Sequence, residues 1–484
     1  MPIIPQYYRT LSRKRGEQNA LRRAKARARR REHQESLENQ AETRNQKARR
    51  EIKQLDELFG GLTYANVLKK WLPPNISYLT SCKASDFYLD FNTIVVRTVP
   101  ERRHFVPNVF SLIDNPKESF KFLRRVLLSL LCEQSKRVVI DYRNCRDLSI
   151  GAQVLLDIIL SDVFHFYSRC VEIPRIKRTV GITKEFVGSG GSENTPRFVE
   201  KILFSVGSFA IHTNQNIDFP DIIPYALCTH NRGANFNRVK AMERKDVDTT
   251  ALADYVIDSL AKMGKKLTIE ALENLCIVIG EVLINAEEHA TTQHRFSIGY
   301  FQDMTEDGQH VGIFRLAILN FGKTIYEKFK DPACPNKAVV EKMNALSKQY
   351  TGRSLFASKE FEEETLWTLY ALQDGITSVA DRKRGHGSIQ FMDSFFKLNG
   401  RDGNIDPRSR MTIHSGRTSI TLNNRHAISE ETINGERVKV MTFNDTNTFN
   451  QRPDKENVKF VENYFPGTMI SAKIIFDEED FSAI

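Results

Sequence analysis

The stretch from Glu270 to Ala290, EALENLCIVIGEVLINAEEHA, restricts the fold more than any other part of the chain. Leu272, Leu275, Cys276, Ile279, Leu283, Ala286 and Ala290 recur at the helical period, which predicts one helix with a single buried stripe. Thr268 stands where an N-cap belongs, and Glu270 brings a carboxylate into the first turn, where the helix dipole favours it. Steps of four residues put Glu281, Asn285 and His289 on one face, roughly opposite the stripe. A solvated face accounts for such a triplet when it stands alone.

Two later stretches offer a second account. LAILNFGKTI, from Leu316 to Ile325, is an apolar strand run closing on Asn320, followed by Gly322 and Thr324. RKRGHGSI, from Arg382 to Ile389, is a double-glycine turn opening a helix over Ser388–Leu398. Magnesium bound to ATP keeps most of its waters and takes one or two protein oxygens, which Asn285 can supply. Glu281, a carboxylate one turn away, suits a general base. Gly385 and Gly387 free the backbone to wrap phosphate at a helix N-terminus, beside Arg382, Lys383 and Arg384. A loop before a capped helix is the plainer account of that turn.

Taken in order, these three boxes resemble the GHKL ATP-binding superfamily, which includes gyrase B subunits, MutL, histidine kinases and anti-sigma-factor serine kinases. The wording ExxxNAxxHA is most similar to the anti-sigma kinases. The resemblance spans residues 249–484 and implies a Bergerat-type α/β sandwich, a mixed sheet with helices on one face and ATP and Mg2+ between. It implies that Asn285 ligates the metal, Glu281 is the base and His289 contacts the nucleotide. Asn320 stands where the family has an aspartate that accepts from the adenine amino group, with Gly322 and Thr324 beside the base. Arg384, Gly385, His386 and Gly387 would hold phosphate, and Thr468, in PGTMISAKIIF, belongs to a closing strand. A helical lid is implied at 326–384, with helices in VVEKMNALSKQY and EEETLWTLYALQDGI. Dimerisation on ATP is common in such relatives, so a homodimer is a further expectation.

The charge is confined to one end. Residues 1–53 hold 16 Lys and Arg against 6 Asp and Glu, an excess of 10 that equals the net charge of the whole chain, +10. Residues 1–60 read as a basic helical arm, with seven cations between Arg22 and Arg31. Residues 9–53 therefore suit DNA or RNA phosphates; a solvated tail is the bland alternative. His33 lacks the apolar dimer seam of a phosphoacceptor helix. No run approaches the ~18 apolar residues of a membrane span. Seven cysteines without CxxC spacing lead us to expect reduced thiols and a cytoplasmic protein.

Residues 61–248 read as an α/β regulatory domain and a surface for a protein partner. Strands are expected at Phe87–Asp90, Thr93–Val99 and Arg137–Asp141, with helices at Lys117–Gln134 and Ser149–Tyr167. VVIDYRNCRDLSIGAQVLLDIIL resembles the STAS domains that partner anti-sigma kinases, which makes Ser149 either a phosphorylatable serine or an N-cap. VGSGGSENTPR reads as a flexible loop, and CTHNRGANFNR shows no chemistry. Strands are expected at Arg295–Phe301, Val311–Leu319, Met411–His414, Arg417–Leu422, Val438–Phe443 and Thr468–Phe476. Three functions fit: an ATP-gated ATPase switch, a protein serine kinase, or an ATP-gated nucleic-acid binder without significant turnover.

Overall fold

The computed structural model describes residues 46–477 apart from 48, 59–60, 98, 134–136, 173–174, 176–188, 191–193, 212–218, 232–237, 263, 307–308, 352–360, 377–388, 390–391, 394–407, 424, 427, 434–435 and 449–450. Between 265 and 289 it describes Ile269, Leu272, Cys276, Ile279, Leu283 and Ala286, all helical. The chain divides into two compact units, Met1–Trp71 with Arg169–Gly181, and Leu72–Ser168 with Ile182–Ile484.

In the first unit a helical run at 49–58 precedes helix α1 (Tyr64–Trp71). Ile52 and Leu55 are buried, as are Val67, Leu68 and Trp71 of α1. The Arg169 guanidinium lies 4.4 Å from the Trp71 ring centroid and 2.9 Å from Glu51 Oε1, so its charge is shared between a π face and a carboxylate.

The second unit starts with helix α2 (Pro74–Ser81), strands β1 (Glu101–Phe105) and β2 (Val109–Phe110), and helix α3 (Pro116–Leu131). Pro116 opens α3 and Glu118 faces the dipole in its first turn; Phe120, Leu123, Val126, Leu127 and Leu130 form its buried side. Strands β3 (Arg137–Asp141) and β4 (Asp147–Leu148), helix α4 (Ile150–Val171) and strand β5 (Ser189–Gly190) follow. β1, β3 and β5 pair in parallel with β3 in the middle; β2 and β4 form a second parallel pair. Phe87–Asp90 and Thr93–Arg97 form no strand, and β5 falls inside the glycine-rich segment expected to be a loop. Short-range alternation marks neither correctly, because a two-residue strand is specified by its partner and not by its own pattern.

After helix α5 (Arg197–Ser205) comes the main sheet. Its strands are β6 (Ile222–Asn231), β7 (His294–Glu306), β8 (Gln309–Phe321), β9 (Arg410–Leu422) and β12 (Val458–Asp477), with a separate hairpin of β10 (Ser429–Ile433) and β11 (Glu436–Val440). Helices α6 (Arg238–Lys262), α7 (Ile325–Lys330), α8 (Lys337–Thr351) and α9 (Glu363–Ala371) lie between the strands in sequence. The spatial order is β6-β7-β8-β12-β9, and every neighbouring pair is antiparallel. The expected mixed sheet is thus corrected to an antiparallel one. It also takes its edge strand β6 from upstream of residue 249.

Helices cover both faces, not one. On the first face Leu252, Tyr255 and Val256 of α6, with Ile279 and Leu283, join Phe301, Phe314, Leu316 and Ile318 in one apolar core. Leu366, Trp367 and Leu369 of α9 belong to the same core, so this part of the expected lid is a packed layer. On the second face Phe120 of α3 meets His414, ring centroids 6.5 Å apart, and a Cβ at Gly151 of α4 would sit 2.8 Å from the Met469 sulfur. Burial pulls the His414 imidazole down to about 4, against the Gly416 backbone, which favours its charged form. Ile150–Val171 is long and apolar enough to cross a membrane, but 78% of its most apolar window is buried inside the protein.

Candidate functional site

In an antiparallel sheet, residues directly opposite one another share a face and lie within side-chain reach. Near one end of the first face the register sets His230 against Arg295, Arg295 against Asn320, Asn320 against Thr468, and Thr468 against Ser415. One polar residue from each of the five strands therefore stands in a single transverse row. Arg295, Asn320 and Ser415 are buried. A buried polar row survives only where its donors and acceptors are matched.

Asn320 is the centre of the row. Its Nδ2 donates to the Ala286 carbonyl at 2.6 Å, and its Oδ1 accepts from the Thr468 amide at 3.1 Å. A carbonyl only accepts and an amide N–H only donates, so the side chain has one orientation. An aspartate could not make the first of these bonds. The hydrogen bond also joins the helix read from Glu270–Ala290 to the end of β8. Asn320 is thus first a brace, and only the second lone pair of Oδ1 is left for the adenine amino group expected there.

The neighbouring hydroxyls are similarly committed. Ser415 Oγ donates to the Gly467 carbonyl at 3.0 Å and accepts from Ile325 N at 3.0 Å. With its one proton used, Ser415 also accepts from Thr468 Oγ1 at 3.0 Å. Thr324 caps α7: its hydroxyl accepts from Glu327 N while its own amide donates to the Glu327 carboxylate, a capping box. Gly322 N donates to the Pro466 carbonyl at 3.2 Å. Gly467 has φ +153°, and a Cβ there would run into the Asn320 carbonyl.

At the other end of the row Arg295 Nη2 pairs with Asp248 Oδ2 of α6 at 2.6 Å, and His230 Nδ1 approaches the same oxygen at 2.7 Å. Burial alone would raise the Asp248 carboxyl, but the His230 and Arg295 hydrogen bonds outweigh it and hold the group below its ordinary range. Arg295 is only 1% exposed, yet Nε and Nη1 have no partner among the described residues. Two buried, unmatched donors on a cation are costly unless something accepts from them.

Of the residues singled out from sequence, Asn320, Gly322, Thr324 and Thr468 come together here. Glu281, Asn285, His289, Arg384, Gly385, His386 and Gly387 lie outside the described residues. His230, Arg295, Asp248 and Ser415 were missed. The alternation of Arg295, Ser297 and Gly299 with Phe296, Ile298 and Tyr300 was a signal that one face of β7 is polar, but nothing local tied it to Asp248. No protein-family model, no curated protein and no solved structure matches this chain.

Proposed function

We propose that this chain binds ATP with magnesium on the first face of the antiparallel sheet, beside the row His230–Arg295–Asn320–Thr468–Ser415, and hydrolyses it as a switch. One observation carries the reading: Asn320 bridges the Ala286 carbonyl to the Thr468 amide, so two of the ATP-type sequence boxes and the closing strand meet at one place. The unmatched Nε and Nη1 of Arg295 supply donors for acceptor atoms of the nucleotide, and the remaining lone pair of Asn320 Oδ1 suits an exocyclic amine.

Within this reading Asn285 holds the magnesium and Glu281 orients and deprotonates the attacking water. The experiment is phosphate release from ATP by wild type and Glu281→Gln. The variant is expected to bind ATP and lose about 10²-fold in turnover. Normal turnover in Glu281→Gln would remove Glu281 as the base. Labelled phosphate appearing on a serine, with no free phosphate, would instead make the chain a kinase.

A further inference from the structure

The second face of the same sheet carries another row. The register sets Tyr300 of β7 opposite Arg315 of β8, Arg315 opposite Lys473 of β12, and Lys473 opposite Arg410 of β9. Three cations thus stand side by side on three adjacent strands. Like charges directly opposite one another destabilise a sheet, so such a row needs negative charge in front of it.

The chain supplies part of that charge. Asp114 takes both terminal nitrogens of Arg410, at 2.7 and 2.6 Å. Burial would raise the Asp114 carboxyl, but the Arg410 hydrogen bonds outweigh it and lower it. Arg410 is thereby neutralised; Asp147, which also lines the cleft, offsets part of the charge of the other two but makes no ion pair with either among the described residues. Lys473 makes no hydrogen bond or ion pair among the described residues, and Arg315 Nε is buried without a partner. Burial, then the charges of Arg315 and Arg410, pull the Lys473 ammonium below the usual lysine range, with Asp147 opposing them.

These side chains line a cleft together with Ser149, Thr412 and Ser471. Ser149 holds the N-cap position of α4, since its carbonyl accepts from Gln153 N at 3.1 Å. Its hydroxyl makes no cap bond; Ala152 N already donates to the Ser149 carbonyl at 3.1 Å, so the Ile150 amide is the first-turn donor of this 22-residue helix left without an acceptor at the cleft among the described residues. Cations on a rigid sheet and a helix N-terminus converge on one space.

We propose that this cleft is a binding site for a phosphoryl dianion, inorganic phosphate or a phosphomonoester, held by Lys473 and Arg315 from the sheet and by Ser149 and the α4 N-terminus from above. The site is on the opposite sheet face from the proposed nucleotide site and does not depend on it.

The test uses the full chain. Thermal unfolding and calorimetry are followed while inorganic phosphate, phenyl phosphate or sodium chloride is added at matched ionic strength, for wild type and Lys473→Met. Lys473 has no partner to orphan, and the basic arm is common to both proteins, so their difference isolates the cleft. Wild type should show saturable stabilisation by a phosphate species and not by chloride, and Lys473→Met should bind it about tenfold or more weakly. Binding of phenyl phosphate but not of free phosphate would identify a phosphomonoester site, and the reverse a free-phosphate site. Equal affinity in Lys473→Met, or no saturable response to either phosphate in wild type, overturns the proposal. Should Lys473→Met fail to fold, the wild-type titration still decides, together with Ser149→Ala, which is expected to weaken binding without unfolding the chain.

Discussion

Asn320 Nδ2 donates to the Ala286 carbonyl at 2.6 Å, and through this bond the end of β8 holds the helix that passes over it. The same amide accepts from Thr468 N, so one side chain locks a helix, a central strand and the closing strand together. This geometry gives an asparagine at this position a structural role that an aspartate could not fill.

Asn320→Asp should therefore harm the protein, though it restores the residue of the resembled family. The variant loses the donor to Ala286 and sets a carboxylate against a carbonyl. A stability loss of about 1–3 kcal/mol in urea unfolding is expected, with weaker ATP binding. An unchanged unfolding midpoint would mean that the brace carries little.

Arg295→Met probes the other end of the row. Breaking the pair with Asp248 should cost about 3 kcal/mol, the lower end for a buried pair, because His230 remains beside the carboxylate. The folded protein holds the Asp248 carboxyl below its ordinary 3.8, so its stabilisation is present above that pH and lost as pH falls through the lowered value. The gap between wild type and Arg295→Met should accordingly narrow in acid. A gap constant from pH 7 to pH 3 would contradict the assignment.

Much of this was legible in advance. β3 and the helices α3 and α4 follow from apolar runs with clear ends, and β8 and β12 from strand patterns around Asn320 and Thr468. The antiparallel order was not, because β12 is inserted between β8 and β9 by pairing with β8 across more than 100 residues, a contact that no local pattern encodes. Nor was the second helical layer: Phe120 and Gly151 belong to amphipathic segments that look self-sufficient, and only the sheet shows what they cover. His230 sat in a segment without any motif, and its partner Asp248 in a charged helix, so sequence gave no reason to join them.

Gly467 is a backbone requirement of the site. With φ +153° and the Asn320 carbonyl against the position of a Cβ, Gly467→Ala must push β12 off β8. A loss of about 1–3 kcal/mol is expected, with lost ATP binding. Wild-type stability and affinity in Gly467→Ala would show that the two strands adjust freely there.

The basic arm gives a prediction in which the cut matters. Ile52 and Leu55 are buried in the first unit, so the deletion should stop at residue 45 and leave the helical run at 49–58 whole. It removes 12 of the arm's 16 Lys and Arg. If the arm contacts nucleic acid through six to ten phosphates, full-length binding should fall by about 10³ or more between 50 and 200 mM salt. The truncated chain should then bind no duplex DNA or RNA in a gel-shift titration, while binding ATP normally. Equal nucleic-acid affinity in both would exclude the arm.

The central claim is that ATP with magnesium binds at the Asn320 end of the sheet, with Asn285 as the metal ligand. Calorimetric titration of ATP into wild type and Asn285→Ala, with and without magnesium, tests it most directly. Saturable binding in wild type that depends on magnesium, and at least about tenfold weaker binding in a folded Asn285→Ala, is the predicted result. Absence of binding in wild type, or identical magnesium-dependent affinity in the two proteins, would contradict it.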